Sequence, residues 1–471
     1  MNTLKVLSDS EVESMYEAAL RILAEVGVIL THPGARQLMT DAGATIKNDR
    51  VYLPPELVEN CLAKCPSQVK IQGRNGTTKT LGDGSINFHN LGGARDIHNL
   101  VTDEHRFAIL QDVRDSTRLL DALPNCNTIN PFFTPSDVPG DLMALAMYRY
   151  ALPFTTKPLQ GPGVQFASEV RYIAEMAAVL GPVSDVLTLS ISPVSPLALP
   201  NHAVEAILEI ARRGIPFSPL PSPTAGATAP FSIAGAVTQQ AAEVLSALVL
   251  AQLVQPGLPM IFCGRLSMMD PRTGIAIWGG IEMGLASAGT VQMGHRCKLP
   301  VNVYGFSTNS HALDLQNGFE RALNAVIPAL AGADELSGIG EMEAGNLSTY
   351  AQMVADNDFA SSIHRVRRGY VANEDTLAVD VIATVMEGPR NFLGQKHTLN
   401  HMKGGEIFLS KLTERGSWES WDKGGRRGFA EQAQAESERI LREHQVEPLA
   451  ESQSKELDAI MASAEKELVK S

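Results

Sequence analysis

Glu341, His311 and the polar and aromatic side chains just before them are the residues whose types and spacing best suit chemistry. They fall within Leu299–Gly345, LPVNVYGFSTNSHALDLQNGFERALNAVIPALAGADELSGIGEMEAG, which reads as strand, polar loop, helix and strand. In the first strand Val301 and Val303 alternate with Asn302, Tyr304 and Phe306, so one face is apolar and the other polar and aromatic. A parallel strand covered on both faces is normally apolar throughout. Polar groups on its inner face therefore need a ligand, water or a hydrogen-bond network. The loop Ser307-Thr308-Asn309-Ser310-His311 gathers hydrogen-bonding groups where that strand ends, and Glu341, at the exit of the next strand, offers a carboxylate to attract a cation or act as a base. Glu343 reads as solvated. An earlier exit, Phe88-His89-Asn90-Leu91-Gly92-Gly93, has paired glycines that let backbone approach a ligand. His89 there reads equally as an anion-orienting group or a satisfied core histidine. Further exits are Asn130-Pro131-Phe132-Phe133 and Gln160-Gly161-Pro162-Gly163.

The elements that must position these groups have a regular rhythm. Strands are expected at 86–91, 128–133, 154–160, 186–192, 215–220, 259–265, 301–306 and 335–340, with helical patterns between. Eight strands alternating with helices over roughly 260 residues suit a (β/α)8 TIM barrel, whose active site lies at the C-terminal strand ends. The competing open doubly wound sheet lacks its G-x-G-x-x-G turn. Alternation in Val186–Ser192 turns Thr188, Ser190 and Ser192 inward, giving a polar-walled funnel; hydroxyls bonded to backbone or buried water are the structural alternative. Residues 1–85 read as an N-terminal helical extension, opened by the capping box Ser8-x-x-Glu11, with further helices after His32-Pro33 and Pro54-Pro55. Residues 86–345 form the barrel, and 346–471 a C-terminal helical region packed on it, with helices near 348–368, 374–388, 429–443 and 449–470.

Composition narrows the classes. A net charge of −13 argues against nucleic acid as a partner. With no apolar run read as long enough to span a bilayer and no basic apolar leader, no membrane association and a cytoplasmic location are expected. Five cysteines do not make a disulfide framework, and Cys61 and Cys65 read as packed, reduced thiols. His397-x3-His401 places two imidazoles on one helical face, but no third ligand is apparent, so no metal site is expected. P-loop, H-E-x-x-H and G-x-S-x-G motifs are absent.

Several segments carry a resemblance: Ile86–Gly93 with Asp96–Val101, DALPNCNTINPFFTPSDVP at 121–139, FSTNSHALDLQ at 306–316, Ala331–Gly345, QMVADN at 352–357 and HTLNH at 397–401. Together they resemble the trimethylamine methyltransferase family of corrinoid-dependent enzymes, over about Leu7 to His444. The resemblance implies a (β/α)8 barrel that moves a methyl group from an amine to the Co(I) of a separate corrinoid-binding protein. Cobalamin would then come from that partner, with none bound tightly by this chain, and a second methyltransferase would unload it. The archetypal trimethylamine enzymes contain pyrrolysine, whereas this chain uses only the twenty standard residues. The exit around Ser307–His311 is the expected equivalent position. Members without pyrrolysine act on quaternary amines such as glycine betaine, proline betaine or carnitine, which points to a small quaternary amine, glycine betaine first. A quaternary nitrogen needs no proton to leave.

On that basis Glu341 and His311 are the expected catalytic residues. Phe132, Phe133, Tyr304 and Phe306 are candidates for the cationic end of the substrate, and His89, Arg95, Asn309 and His311 for its carboxylate, with Asn90 and Asn302 completing the site. Arg365, Arg367 and Arg368 are candidates for docking the corrinoid protein, or a solvated helix face. A homo-oligomer is expected. Two other functions suit the residues: a barrel lyase or hydrolase using Glu341 as acid/base, and a betaine-binding protein without turnover.

Overall fold

The computed structural model describes residues 3–161, 164–388 and 390–469. Its architecture is mixed α/β. Parallel pairing joins the strand Phe262–Gly264 to Val301–Tyr304, that strand to Glu335–Ile339, and Glu335–Ile339 to Asn87–Asn90. A second parallel set joins Leu159–Gly161, Leu187–Ile191 and Phe217–Pro219. Single parallel bridges link the two sets: His89 to Thr128, Ile129 to Leu159, and Phe217 to Met260. All eight expected strand segments thus occur in parallel register, with helices such as Asn201–Arg212, Ile281–Arg296 and Leu315–Ala331 between them.

Two boundaries differ from expectation for the same reason. Segment 128–133 pairs only through bridges, and the 154–160 strand starts at Leu159, after a 3-10 turn at Leu152–Phe154. Pro131, Pro153 and Pro158 lack the N–H that a ladder needs.

Burial on the inner side of the helices is nearly complete. The helix Ile233–Val254 is long and apolar enough to compare with a membrane span, a feature not anticipated in the sequence, and most of it is buried inside the fold. It packs against Asp9–Arg21, Pro55–Leu62, Asn201–Arg212 and Ile281–Arg296. Its buried Glu243 accepts from Ser195 Oγ (2.8 Å), Leu197 N (2.9 Å) and Gln239 Nε2 (3.0 Å), so its charge-bearing group is satisfied internally.

The N-terminal part has the three expected helices, Asp9–Arg21 with its Ser8/Glu11 capping box, Pro33–Asp41 and Pro55–Leu62. It is not purely helical. Short antiparallel strands at Thr45–Lys47, Arg50–Tyr52, Val69–Gln72 and Thr78–Leu81 intervene, and Val28–Leu30 pairs in parallel with Ala198–Leu199. In the C-terminal part Tyr350–Arg368, Phe429–Glu443 and Glu451–Leu468 are helices, while the expected 374–388 helix is broken at Ala378, which has φ of 55°.

Candidate active site

A chamber of about 210 Å³ opens among the C-terminal ends of the parallel strands, at the place where loops gather the polar residues. The strands supply its walls: Gln160 from Leu159–Gly161, Ser190 from Leu187–Ile191, Ser218 from Phe217–Pro219, and Asn302 and Tyr304 from one face of Val301–Tyr304, while His89 and Asn90 come as neighbours from the end of Asn87–Asn90. Asn130, Cys263, Arg265 and Trp278 complete it.

Beneath the chamber lies a buried polar layer. Glu335 accepts from Gln160 Nε2 (2.9 Å), Thr128 Oγ1 (3.3 Å) and Asn302 Nδ2. His89 Nδ1 lies 2.8 Å from Asn90 O and Nε2 lies 2.8 Å from Asn302 Nδ2. With Nδ1–H donating to the carbonyl, Nε2 accepts from the amide. Burial lowers the His89 pKa, which favours this neutral imidazole. His89 is therefore a network member, and its ring nitrogens are engaged by protein.

Arg265 is the buried cation of the wall. Nη1 donates to Gly264 O (3.1 Å) and Asn302 O (3.3 Å), and Nη2 to Asn302 Oδ1 (2.6 Å). The guanidinium carbon stands 4.5 Å from the Tyr304 ring centroid. Among the described residues no acceptor takes Nε–H. The strand before it approaches the Ile233–Val254 helix so closely that a Cβ on Gly264 would lie 2.2 Å from Gln240 Nε2. Trp278 packs edge-on to Tyr304, with centroids 5.5 Å apart. Its loop is held by Asn309, whose Oδ1 accepts the N–H groups of Trp278 (2.7 Å) and Gly279 (2.9 Å). The chamber also contains unpartnered polar atoms, Asn130 Oδ1 and Ser218 Oγ. Cys263 is no ready nucleophile, because burial raises its thiol pKa.

The other expected site residues lie elsewhere. Glu341 is buried but is not part of the chamber wall. Its Oε1 accepts from Ser307 Oγ, Oε2 has no partner, and burial pushes its carboxyl up to about 8. Position at a strand exit does not bring Glu341 into the wall, because Gly338 (φ 107°) and Gly340 (φ 88°) take left-handed conformations and the strand register shifts between Leu336 and Ile339. His311 is on the surface, its side chain 72% exposed and 3.4 Å from Glu343. Arg95 points outward to Asp96, 2.9 Å away, with a side chain 64% exposed. Phe132, Phe133 and Phe306 are fully buried in the core: Phe132 packs on Phe133, and Phe306 on Phe88. Asn309 acts on the site through Trp278. Of the third strand exit, Pro162 and Gly163 lie outside the described residues. Arg265, Trp278 and Glu335 were missed. An arginine closing the apolar run PMIFCGR was a usable signal; Trp278, in an aperiodic loop, had none.

The family model for trimethylamine methyltransferase (MTTB) matches residues 1–469. The chain belongs to the trimethylamine methyltransferase family. It is a methyltransferase, similar along 98% of its length to trimethylamine methyltransferase MttB of Desulfitobacterium hafniense (strain DSM 10664 / DCB-2), at 31% identity and 94% of that protein. A glycine betaine methyltransferase of Desulfitobacterium hafniense (strain Y51) is 27% identical, over 89% of this chain and 88% of that protein. The hydroxylamine complex of MtmB, a solved structure, superposes with a TM-score of 0.53 at 12% identity, covering 94% of this chain and 89% of the other. That likeness concerns fold.

The C-terminal histidine pair acquires a neighbour. His397 and His401 stack with centroids 4.1 Å apart, and Asp375 comes beside both, giving three donor atoms within 4.8 Å of one another. Arg365 and Arg368 are engaged with backbone carbonyls of 404–406, and Arg367 with Gly84 O.

Proposed function

We propose that the chain is a quaternary-amine methyltransferase, with glycine betaine its leading substrate and the Co(I) corrinoid of a separate protein as acceptor. The observation that carries this is Arg265: a buried guanidinium on the chamber wall whose bonds to Gly264 and Asn302 use only Nη1 and Nη2, leaving Nε–H as donor capacity for a carboxylate. Trp278 and Tyr304 supply aromatic surface for a trimethylammonium group, each contact worth about 0.5–2 kcal/mol when desolvated. Arg265 on the wall and Glu335 just beneath provide both signs of charge, as a zwitterion requires. The small volume suits a compact ligand.

The partner's reduced corrinoid supplies the nucleophile. The methyl would pass to that nucleophile as its C–N bond breaks, the bond's electron pair remaining on nitrogen, so the amine nitrogen would be left neutral and no proton would have to move. The chain has to orient the methyl towards the chamber mouth and keep water out. Glu341, outside the wall, is not required as an acid or base.

We read the eight parallel segments as a closed (β/α)8 barrel; the sequence of pairings and bridges that returns from Glu335–Ile339 to Asn87–Asn90 supports this. Residues 1–85 and 346–471 are its extensions. The five unpaired cysteines favour a cytoplasmic setting. Exposed Tyr370, Val371, Leu377, Val379 and Leu393 favour a homo-oligomer.

The test is demethylation of glycine betaine, carnitine, proline betaine and trimethylamine with one reduced corrinoid protein as acceptor. Glycine betaine should lead, with no turnover when the corrinoid protein is omitted. Trimethylamine leading would overturn the substrate, and repeated turnover by cobalt-free chain alone would overturn the acceptor.

A further inference from the structure

We infer that Asp375, His397 and His401 form a zinc site that fastens the segment 370–428, separate from the methyl-transfer chamber and independent of that reading. Three observations bring the residues together. His397 and His401 are one turn apart on the helix Lys396–Lys403, so their rings project from one face. Asp375 lies in the short helix Glu374–Leu377, which Asn373 caps through a bond to Thr376 N, fixing where the carboxylate begins. His401 Nε2 is 3.6 Å from Asp375 Oδ2 and His397 Nε2 is 3.2 Å from Asp375 O.

The donor set has the chemistry of zinc. Two imidazoles and one carboxylate are nitrogen and oxygen ligands that bind it at about 2.0–2.2 Å, with water free to take the fourth position. Donors within 4.8 Å of one another need only side-chain rotation to converge on such an ion. The surroundings explain a structural role. Among the described residues from 370 to 428, only Val385 and Leu412 are buried. A segment with so little apolar burial cannot offset its ordering entropy through packing alone. A metal joining the 374–377 and 396–403 helices closes a loop of about twenty residues, and its binding free energy becomes folding free energy for that loop.

Full-length protein stripped with a chelator should bind one zinc ion per chain when zinc chloride is titrated in and heat is measured. His401→Ala and Asp375→Asn should each weaken that binding by about tenfold or more. Asp375 has a side chain 81% exposed, so its substitution does not threaten the fold. Zinc should also slow proteolytic cleavage within 370–428 in the unaltered chain and leave the cleavage rate of both variants unchanged. Absence of zinc binding would overturn the site. So would binding that both substitutions leave intact, which would identify an adventitious ion only.

Discussion

Arg265 and Trp278 divide recognition between the two ends of a zwitterion, and the division can be separated kinetically. Arg265→Ala should raise KM for glycine betaine by about ten- to hundredfold, the value of a charge-assisted hydrogen bond of roughly 1.5–3 kcal/mol. Choline, which keeps the trimethylammonium and lacks the carboxylate, should change by less than about threefold. Trp278→Ala should impair both, and equal losses for both substrates in Arg265→Ala would assign the guanidinium to holding Asn302 and Tyr304. Glu341 raises a different expectation. Its carboxyl, at about 8 in the fold, lies above the ordinary 4.5, so the folded state holds a proton that the unfolded state releases. Its favourable contribution is full below pH 4.5 and is lost as pH rises to about 8. Glu341→Gln can still accept from Ser307 and cannot ionise, so denaturant unfolding should show the variant gaining on the unaltered chain across that window, by on the order of a few kcal/mol. An unchanged difference between pH 5 and 8 would show that Glu341 does not titrate in this way.

Between neighbouring elements one buried joint is Arg321 of the helix Leu315–Ala331. It donates to Phe306 O, to Asn317 Oδ1 (2.6 Å) and to Asp356 Oδ2 (3.1 Å), while Asp356 also accepts from Gly340 N (2.7 Å). Two strand exits and two helices meet there. Arg321→Met should cost about 3–5 kcal/mol, because Asp356 stays buried without its cation, and denaturant midpoints would measure it. Asp356→Leu added to it should restore part of the loss; no recovery would mean that packing, not charge, sets the cost. The same elements show what was legible in the sequence. Period-two alternation placed Asn302, Tyr304 and Ser190 inward, and all three line the chamber. Strand-exit position, the ground for Glu341, was not enough, because two left-handed glycines precede that carboxylate. Alternation failed at Phe306, and strand-exit position at Phe132, because neither separates core from chamber. Arg95 was lost to its own neighbour Asp96, a local pairing that residue type alone does not disclose. Asp375 lies more than twenty residues from His397, and only the fold brings it beside the pair.

At the scale of the whole molecule, dense packing around the parallel strands contrasts with the thinly buried segment 370–428. The two regions should respond differently to solvent: the first unfolds with the core, the second opens locally. The pairing of Glu335 with Asn87 has a consequence in time. About 250 residues separate these strands, and a ribosome adding roughly 5–20 residues per second needs on the order of ten to fifty seconds to reach the second after finishing the first. Throughout that interval the outer edge of Asn87–Asn90 has no strand of its own chain to meet. The newborn protein must therefore pass through a period in which an unpaired edge and the apolar Ile233–Val254 helix coexist outside the ribosome. Its yield in a cell is set by what shields them during that wait.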